Sequence, residues 1–194
     1  MKKTFTIIFS IIGIFLLGFL ILLSFLCIRE YRPKKIENVK IEGLGEKNPE
    51  IGKIYKIMTW NIGYGGLDKD TDFFMDGGDM VFPINKNHVE KSLNNIIKSS
   101  KKFNADIKFF QEVDVNSKRT YHINEVEKIR KNLGGNTTFA LNFKADFIPY
   151  PIPPMGKVES GIMSQTNFKI KKSKRYQQEI PQKISHSKCP PRCL

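Results

Sequence analysis

An uncharged apolar run, Phe5 to Ile28, constrains this chain more than any other feature of its sequence. As an α-helix it would reach about 36 Å, enough to cross a hydrocarbon core of about 30 Å. Ser10, Gly13, Gly18 and Ser24 interrupt it without adding charge. Lys2 and Lys3 precede it; Arg29, Arg32, Lys34 and Lys35 follow. A cleaved signal peptide would have a shorter apolar core and a small-x-small site after it, and neither is found. Cys27 follows Leu26 rather than a small residue, which argues against a lipoprotein signal. The expectation is a signal anchor over 1–28, spanning the bilayer at 5–28 and partnered there by lipid. Basic residues on both flanks leave orientation weakly specified. The short Lys2-Lys3 n-region favours a single-pass protein whose soluble region is extracytoplasmic.

The chain has 194 residues, so enough remains after the anchor for one domain with a core of its own. Hydrophobic residues make up 40% and charged residues 26%, which sets the chain apart from disordered sequences. The net charge of +13 is unevenly spread. Residues 169–194 carry eight cations against Glu179 alone. Such a stretch either is a solvated lysine-rich tail or meets anionic polymers, phosphates or acidic lipids. Cys189 and Cys193 in this tail are too few for a disulfide framework, and a local disulfide and free thiols stay equally open. With His186 they fit no zinc spacing.

Residues 29–53, charged and broken by Pro33, Gly43, Gly45, Pro49 and Gly52, read as a stalk. Residues 54–176 read as a mixed α/β domain. A strand over Ile54 to Trp60 runs into the turn-rich Asn61-Ile-Gly-Tyr-Gly-Gly66. An aspartate-rich loop over 67–85 lacks calcium-loop spacing and reads as solvated. A helix over about Lys86 to Lys102 follows, with Val89, Leu93, Ile96, Ile97 and Ser100 on one face. Ile107 to Val113 is a second strand. A second helix is expected over about Arg119 to Leu133, with the stripe Ile123, Val126, Ile129, Leu133 and a Gly134-Gly135 stop. Thr137 to Phe143 is a third strand, and the prolines at 149, 151, 153 and 154 make 144–159 a loop. Ser160 to Thr166 and Phe168 to Tyr176 suggest a hairpin over Asn167. After Gln177 the chain is a divergent basic tail, 177–194.

Strands alternating with helices place reactive groups beyond the carboxyl ends of the strands. Asn61 and Glu112 both stand there. A carboxylate so placed can hold Mg²⁺ with phosphate oxygens and water, and a nearby amide can orient it. Arg119, soon after Glu112, could reach a phosphate, or serve the surface. Phe73, Phe74, Phe147 and Tyr150 suit loop packing better than a substrate rim. His88 and His122 are expected on helices, exposed or packed. Lys108, inside the second strand, suggests an edge position or relaxed constraint.

Thr59-Trp-Asn-Ile-Gly63 and Asn104-Ala-Asp-Ile-Lys-Phe-Phe-Gln-Glu-Val113 resemble two motifs of the endonuclease/exonuclease/phosphatase family, the deoxyribonuclease I-like hydrolases. Ser160-Gly-Ile-Met-Ser164 is similar to a structural strand of that family. The resemblance implies a four-layer α/β sandwich, Mg²⁺ (or Mn²⁺) as cofactor, and hydrolysis of a phosphate ester in nucleic acid, phospholipid or sugar phosphate. It gives Glu112 the role of metal ligand, and Asn61 that of the first catalytic amide. The family's later motifs, Asp-x-Asn and a terminal Ser-Asp-His, do not occur, and Ser185-His186-Ser187 is no substitute. The fold expected is therefore an N-terminal transmembrane helix plus the first half of the sandwich, with one sheet face left uncovered. Three functions follow as alternatives: a membrane-anchored phosphoesterase if completed, a catalytically inactive truncated remnant, or a basic tethered module binding anionic polymers.

Overall fold

A computed structural model describes residues 2–177. The apolar run forms helix α1, Lys2–Ile28, with no buried residue. It is long and apolar enough to cross a membrane. The soluble region is mixed α/β. Its strands are β1 (Ile36–Asn38), β2 (Ile41–Glu42), β3 (Ile57–Asn61), β4 (Ile107–Asp114), β5 (Asn136–Ile148), β6 (Gly156–Thr166) and β7 (Lys174–Tyr176). Helices α2 (Lys86–Phe103) and α3 (Glu125–Leu133) lie between them in sequence.

Five strands make one sheet in the order β2-β5-β6-β4-β3. Only β3 and β4 run parallel, joined through α2, and their register sets Asn61 opposite Gln111. Parallel neighbours need a crossover of this kind, whereas antiparallel ones need only a turn. The remaining pairs are antiparallel. Side chains alternate along each strand, so one face of the sheet receives both helices. There Phe110, Val113 and Met163 pack with Leu93, Ile96 and Ile97 of α2 and Ile129 of α3. On the other face Ile57, Thr59 and Ile162 are exposed, and Phe109 and Gln111 are half-buried.

Helix α2 has the expected apolar stripe: Val89, Leu93, Ile96, Ile97 and Ser100 are its buried residues. Asn85 caps it by accepting a hydrogen bond from the His88 N–H, and Asn104 ends it in the left-handed region. Helix α3 starts at Glu125, not near Arg119. Residues Lys118–Thr120 form a short 3-10 turn, and Tyr121 and His122 take positive φ. Tertiary bonds hold this segment: Arg119 reaches Asp114, and the Tyr121 hydroxyl donates to Pro83 O. Asn124 then caps α3. His122 is therefore in a turn rather than on a helix.

The prolines also mislead. They occupy only the turn between β5 and β6, which pair over most of their length through two bulges. The hairpin expected over Asn167 does not form. β6 pairs with β4 and β5, while β7 pairs with β1, Ile36 facing Tyr176. Residues 29–53 accordingly are more than a stalk, since β1 and β2 return to the domain. Lys108 is not on an edge strand. β4 lies between β6 and β3, and buried Lys108 directs its Nζ to Ala105 O at 2.6 Å, at the strand's start. Burial pushes its ammonium pKa down. Most of the 177–194 tail, with His186, Cys189 and Cys193, lies outside the described residues.

Candidate functional site

Two strand ends and the loops after them build the site. β3 ends at Asn61, and the Ile62 N–H donates to Gln111 O, so the two chains stay paired to their ends. Between Phe110 and Val113 the β4–β6 register shifts, and Glu112 sits in this irregularity with φ of +55°. A bulge re-aims a side chain at a cost in backbone strain. Here it brings Glu112 to Asn61. Asn61 Nδ2 donates to Glu112 Oε1 at 2.7 Å. The other end of the amide is fixed as well, since Asn61 Oδ1 accepts from the Gly63 N–H at 2.9 Å. Gly63 has φ of +52°, and an added Cβ would lie 2.9 Å from the Leu67 Cβ, so the turn favours glycine. The amide is thereby oriented on both sides. Glu112 keeps its second carboxylate oxygen for another partner.

Beside this pair lies a charged cluster. Arg119 Nε and Nη2 each donate to one oxygen of Asp114 at 2.9 Å, a bidentate pair. Its guanidinium also lies 3.8 Å from the centre of the Tyr64 ring. Asp114 and Tyr64 are buried. Burial works against the charge of Arg119, but the hydrogen bonds to Asp114 and the charge of that carboxylate, with smaller contributions from Tyr64 and Glu112, together hold the pKa above its ordinary value. Burial pushes the Tyr64 hydroxyl up, so it stays protonated. Behind them, Glu125 Oε2 accepts from the Asp114 N–H at 2.8 Å. Glu125 is fully buried, and its Oε1 has no hydrogen-bond partner. Burial, and then the charge of Asp114, push its carboxyl well above the usual range.

Asn61, Glu112, Tyr64 and Arg119 line one open cleft of about 610 Å³, together with Asn142 and Ser160. An acidic group and a guanidinium thus face the same space. Such a cleft can take a divalent cation on the carboxylate and an anionic ester near the guanidinium. Among the described residues no three His, Cys, Asp or Glu side chains converge as a metal cage. Glu112 could supply one carboxylate ligand to a hydrated cation.

The structure brings the two sequence-selected residues, Asn61 and Glu112, into contact. Arg119 lines the cleft instead of the open surface. The two described histidines lie elsewhere: His88 Nε2 is 2.8 Å from Asp68 Oδ2, and His122 Nδ1 is 2.7 Å from Asn116 Oδ1. Phe73 lines the cleft and stacks edge-on with Phe74 and Tyr64, whereas Tyr150 meets Phe74 outside it. Tyr64, Asp114 and Glu125 escaped the sequence reading. Asp114, two residues past Glu112 and five before Arg119, carried a usable charge signal. Glu125 carried none, because an acid in a first helical turn ordinarily faces water. Comparison of the chain with protein families, with curated proteins and with solved structures gave no match.

Proposed function

We propose that this chain is a membrane-anchored member of the endonuclease/exonuclease/phosphatase family. Its cleft takes a phosphate ester and Mg²⁺ or Mn²⁺, hydrolysing the ester where the site is complete. One observation carries the reading: the hydrogen bond between Asn61 and Glu112 at the carboxyl ends of adjacent parallel strands. The two motif residues stand 51 positions apart in sequence, and the contact between them needed the β4 bulge.

Glu112 would hold the cation through its open oxygen. When bound, the cation would supply Lewis-acid stabilisation of charge on the phosphoryl oxygens. Asn61 keeps the carboxylate turned into the cleft. Arg119, committed to Asp114 through two nitrogens, retains Nη1 for an anionic oxygen. Its stacking on Tyr64 restricts the guanidinium plane, which favours a directed hydrogen bond over a diffuse charge. The sandwich of the family, with a second sheet over the uncovered face, is part of the same proposal.

The test is Mg²⁺-dependent hydrolysis of bis-p-nitrophenyl phosphate by the full chain in detergent micelles. Glu112→Gln should lower the rate about 100-fold or more, and Asn61→Ala about 10-fold. Equal rates in all three would overturn the assignment. A second reading is binding without turnover, favoured because both described histidines are engaged outside the cleft. It predicts no hydrolysis, yet Mg²⁺-dependent binding of the ester by calorimetry that Glu112→Gln abolishes. The polymer-binding alternative, through residues 169–194, predicts affinity that falls with salt and ignores Glu112.

A further inference from the structure

Helix α1 does not stand clear of the soluble region. Phe25, Leu26 and Arg29 of its end face residues 142–147 of β5 across a cavity of about 330 Å³. The Arg29 guanidinium pairs with Asp146. Phe25 and Leu26 belong to the apolar run itself. A helix of that length exceeds the hydrocarbon thickness by about one turn, so its last turn sits at headgroup level. Whatever depth that turn has, the end of β5 shares.

The same end of the domain exposes large apolar side chains. Phe143 is 50% exposed and Phe147 36%. In the β5–β6 turn Tyr150 is 71% and Ile152 91% exposed. Pro151 between them is buried, which anchors the turn while its two neighbours point outward. Arg32, Lys34 and Lys144 add cations nearby in the chain or on the strand. Exposed aromatic and aliphatic groups beside cations suit the boundary between headgroups and acyl chains, where Tyr anchors and Lys or Arg meets anionic lipid.

We propose that the β5–β6 end of the domain is a second membrane-contact surface, continuous with α1 and seated on the lipid headgroups. Continuity with α1 favours lipid over a protein partner or a second copy of the chain. Asn142 and Phe143 line both the α1-side cavity and the candidate cleft, so the cleft opens beside the bilayer. Resting on the phosphoesterase reading, this also makes the substrate a lipid headgroup ester; the membrane contact itself does not depend on that reading.

The test uses the full chain with Cys27, Cys189 and Cys193 replaced by Ser. An environment-sensitive thiol fluorophore is placed at Ile152→Cys or Tyr150→Cys, and separately at Lys98→Cys, an exposed position of α2. Both turn positions are exposed, so the labels leave the core intact. The protein is reconstituted in phosphatidylcholine–phosphatidylserine vesicles. The turn labels should emit to the blue of the Lys98→Cys label and be quenched severalfold more by spin-labelled lipid. Aqueous iodide should quench mainly the α2 label. Equal behaviour at all positions would overturn the proposal. A blue shift that persists in detergent and ignores lipid quenchers would overturn it too, since a protein then covers the turn. Neither readout involves hydrolysis, so failure here is distinct from failure of the phosphoesterase assay.

Discussion

Asp114 is a carboxylate without solvent contact, and its charge is met by Arg119 through two hydrogen bonds. Removing one member of such a pair strands the other, and the loss is larger than the net worth of the pair. Arg119→Leu should therefore destabilise the fold by about 3–5 kcal/mol, read by urea unfolding. Arg119→Lys should recover only part of this, because an ammonium cannot match the bidentate geometry or the Tyr64 stack. Glu125 gives a pH signature. Its folded pKa is raised, so the folded chain keeps a proton that the unfolded chain has released. The associated stability is fully present below the unfolded value, about pH 4, and is lost as pH rises through the folded value. Glu125→Gln keeps an acceptor for the Asp114 N–H and cannot ionise. Its melting temperature should lie closest to that of the parent at about pH 4 or below and exceed it at about pH 8. A gap that closes with rising pH would contradict this assignment.

Among the elements, α2 and α3 draw stability from one face of the sheet. Leu93 is fully buried between α2 and that face, whereas Ile57 on β3 points to the uncovered side. Leu93→Ala should cost about 3 kcal/mol, as large-to-small core changes do. Ile57→Ala should cost less than about 0.5 kcal/mol. Thermal unfolding followed by circular dichroism would read both. A large loss at Ile57 would mean that something covers this face in solution. Elements whose pattern is local were legible in sequence: α2 follows its apolar stripe almost to the residue. Elements whose form depends on distant partners were not. The start of α3 yields to the Asp114–Arg119 pair. β5 and β6 extend well into the Pro-flanked segment because each is held by its neighbour along the sheet.

At the scale of the molecule, the apolar helix and the mixed α/β region are one continuous object, tied by the Arg29–Asp146 pair, by β2 joining the five-stranded sheet and by β1 pairing with β7. The chain should remain with membranes after an alkaline carbonate wash, and deletion of residues 2–28 should release it. If the soluble region faces away from the cytoplasm, added protease should digest it in intact spheroplasts. Protection there, with digestion only after lysis, would reverse the orientation. The charge of +13 should also make vesicle association of the soluble surface weaken with salt, since exposed cations are screened beyond about 8 Å at physiological ionic strength.

Composition and periodicity determined the apolar helix long enough to cross a membrane, the α/β class and the main helix of the soluble region, because hydrophobicity imprints a length or a period on the chain that can be read without coordinates. Motif position also singled out Asn61 and Glu112. What only the tertiary structure decided is how these side chains meet. The contact arises from parallel pairing of two strands and a bulge that turns Glu112, and neither leaves a residue-by-residue trace in sequence. The buried Asp114–Arg119–Glu125 cluster belongs to the same class, since the cost of burying a charge is repaid by partners that only the fold brings near.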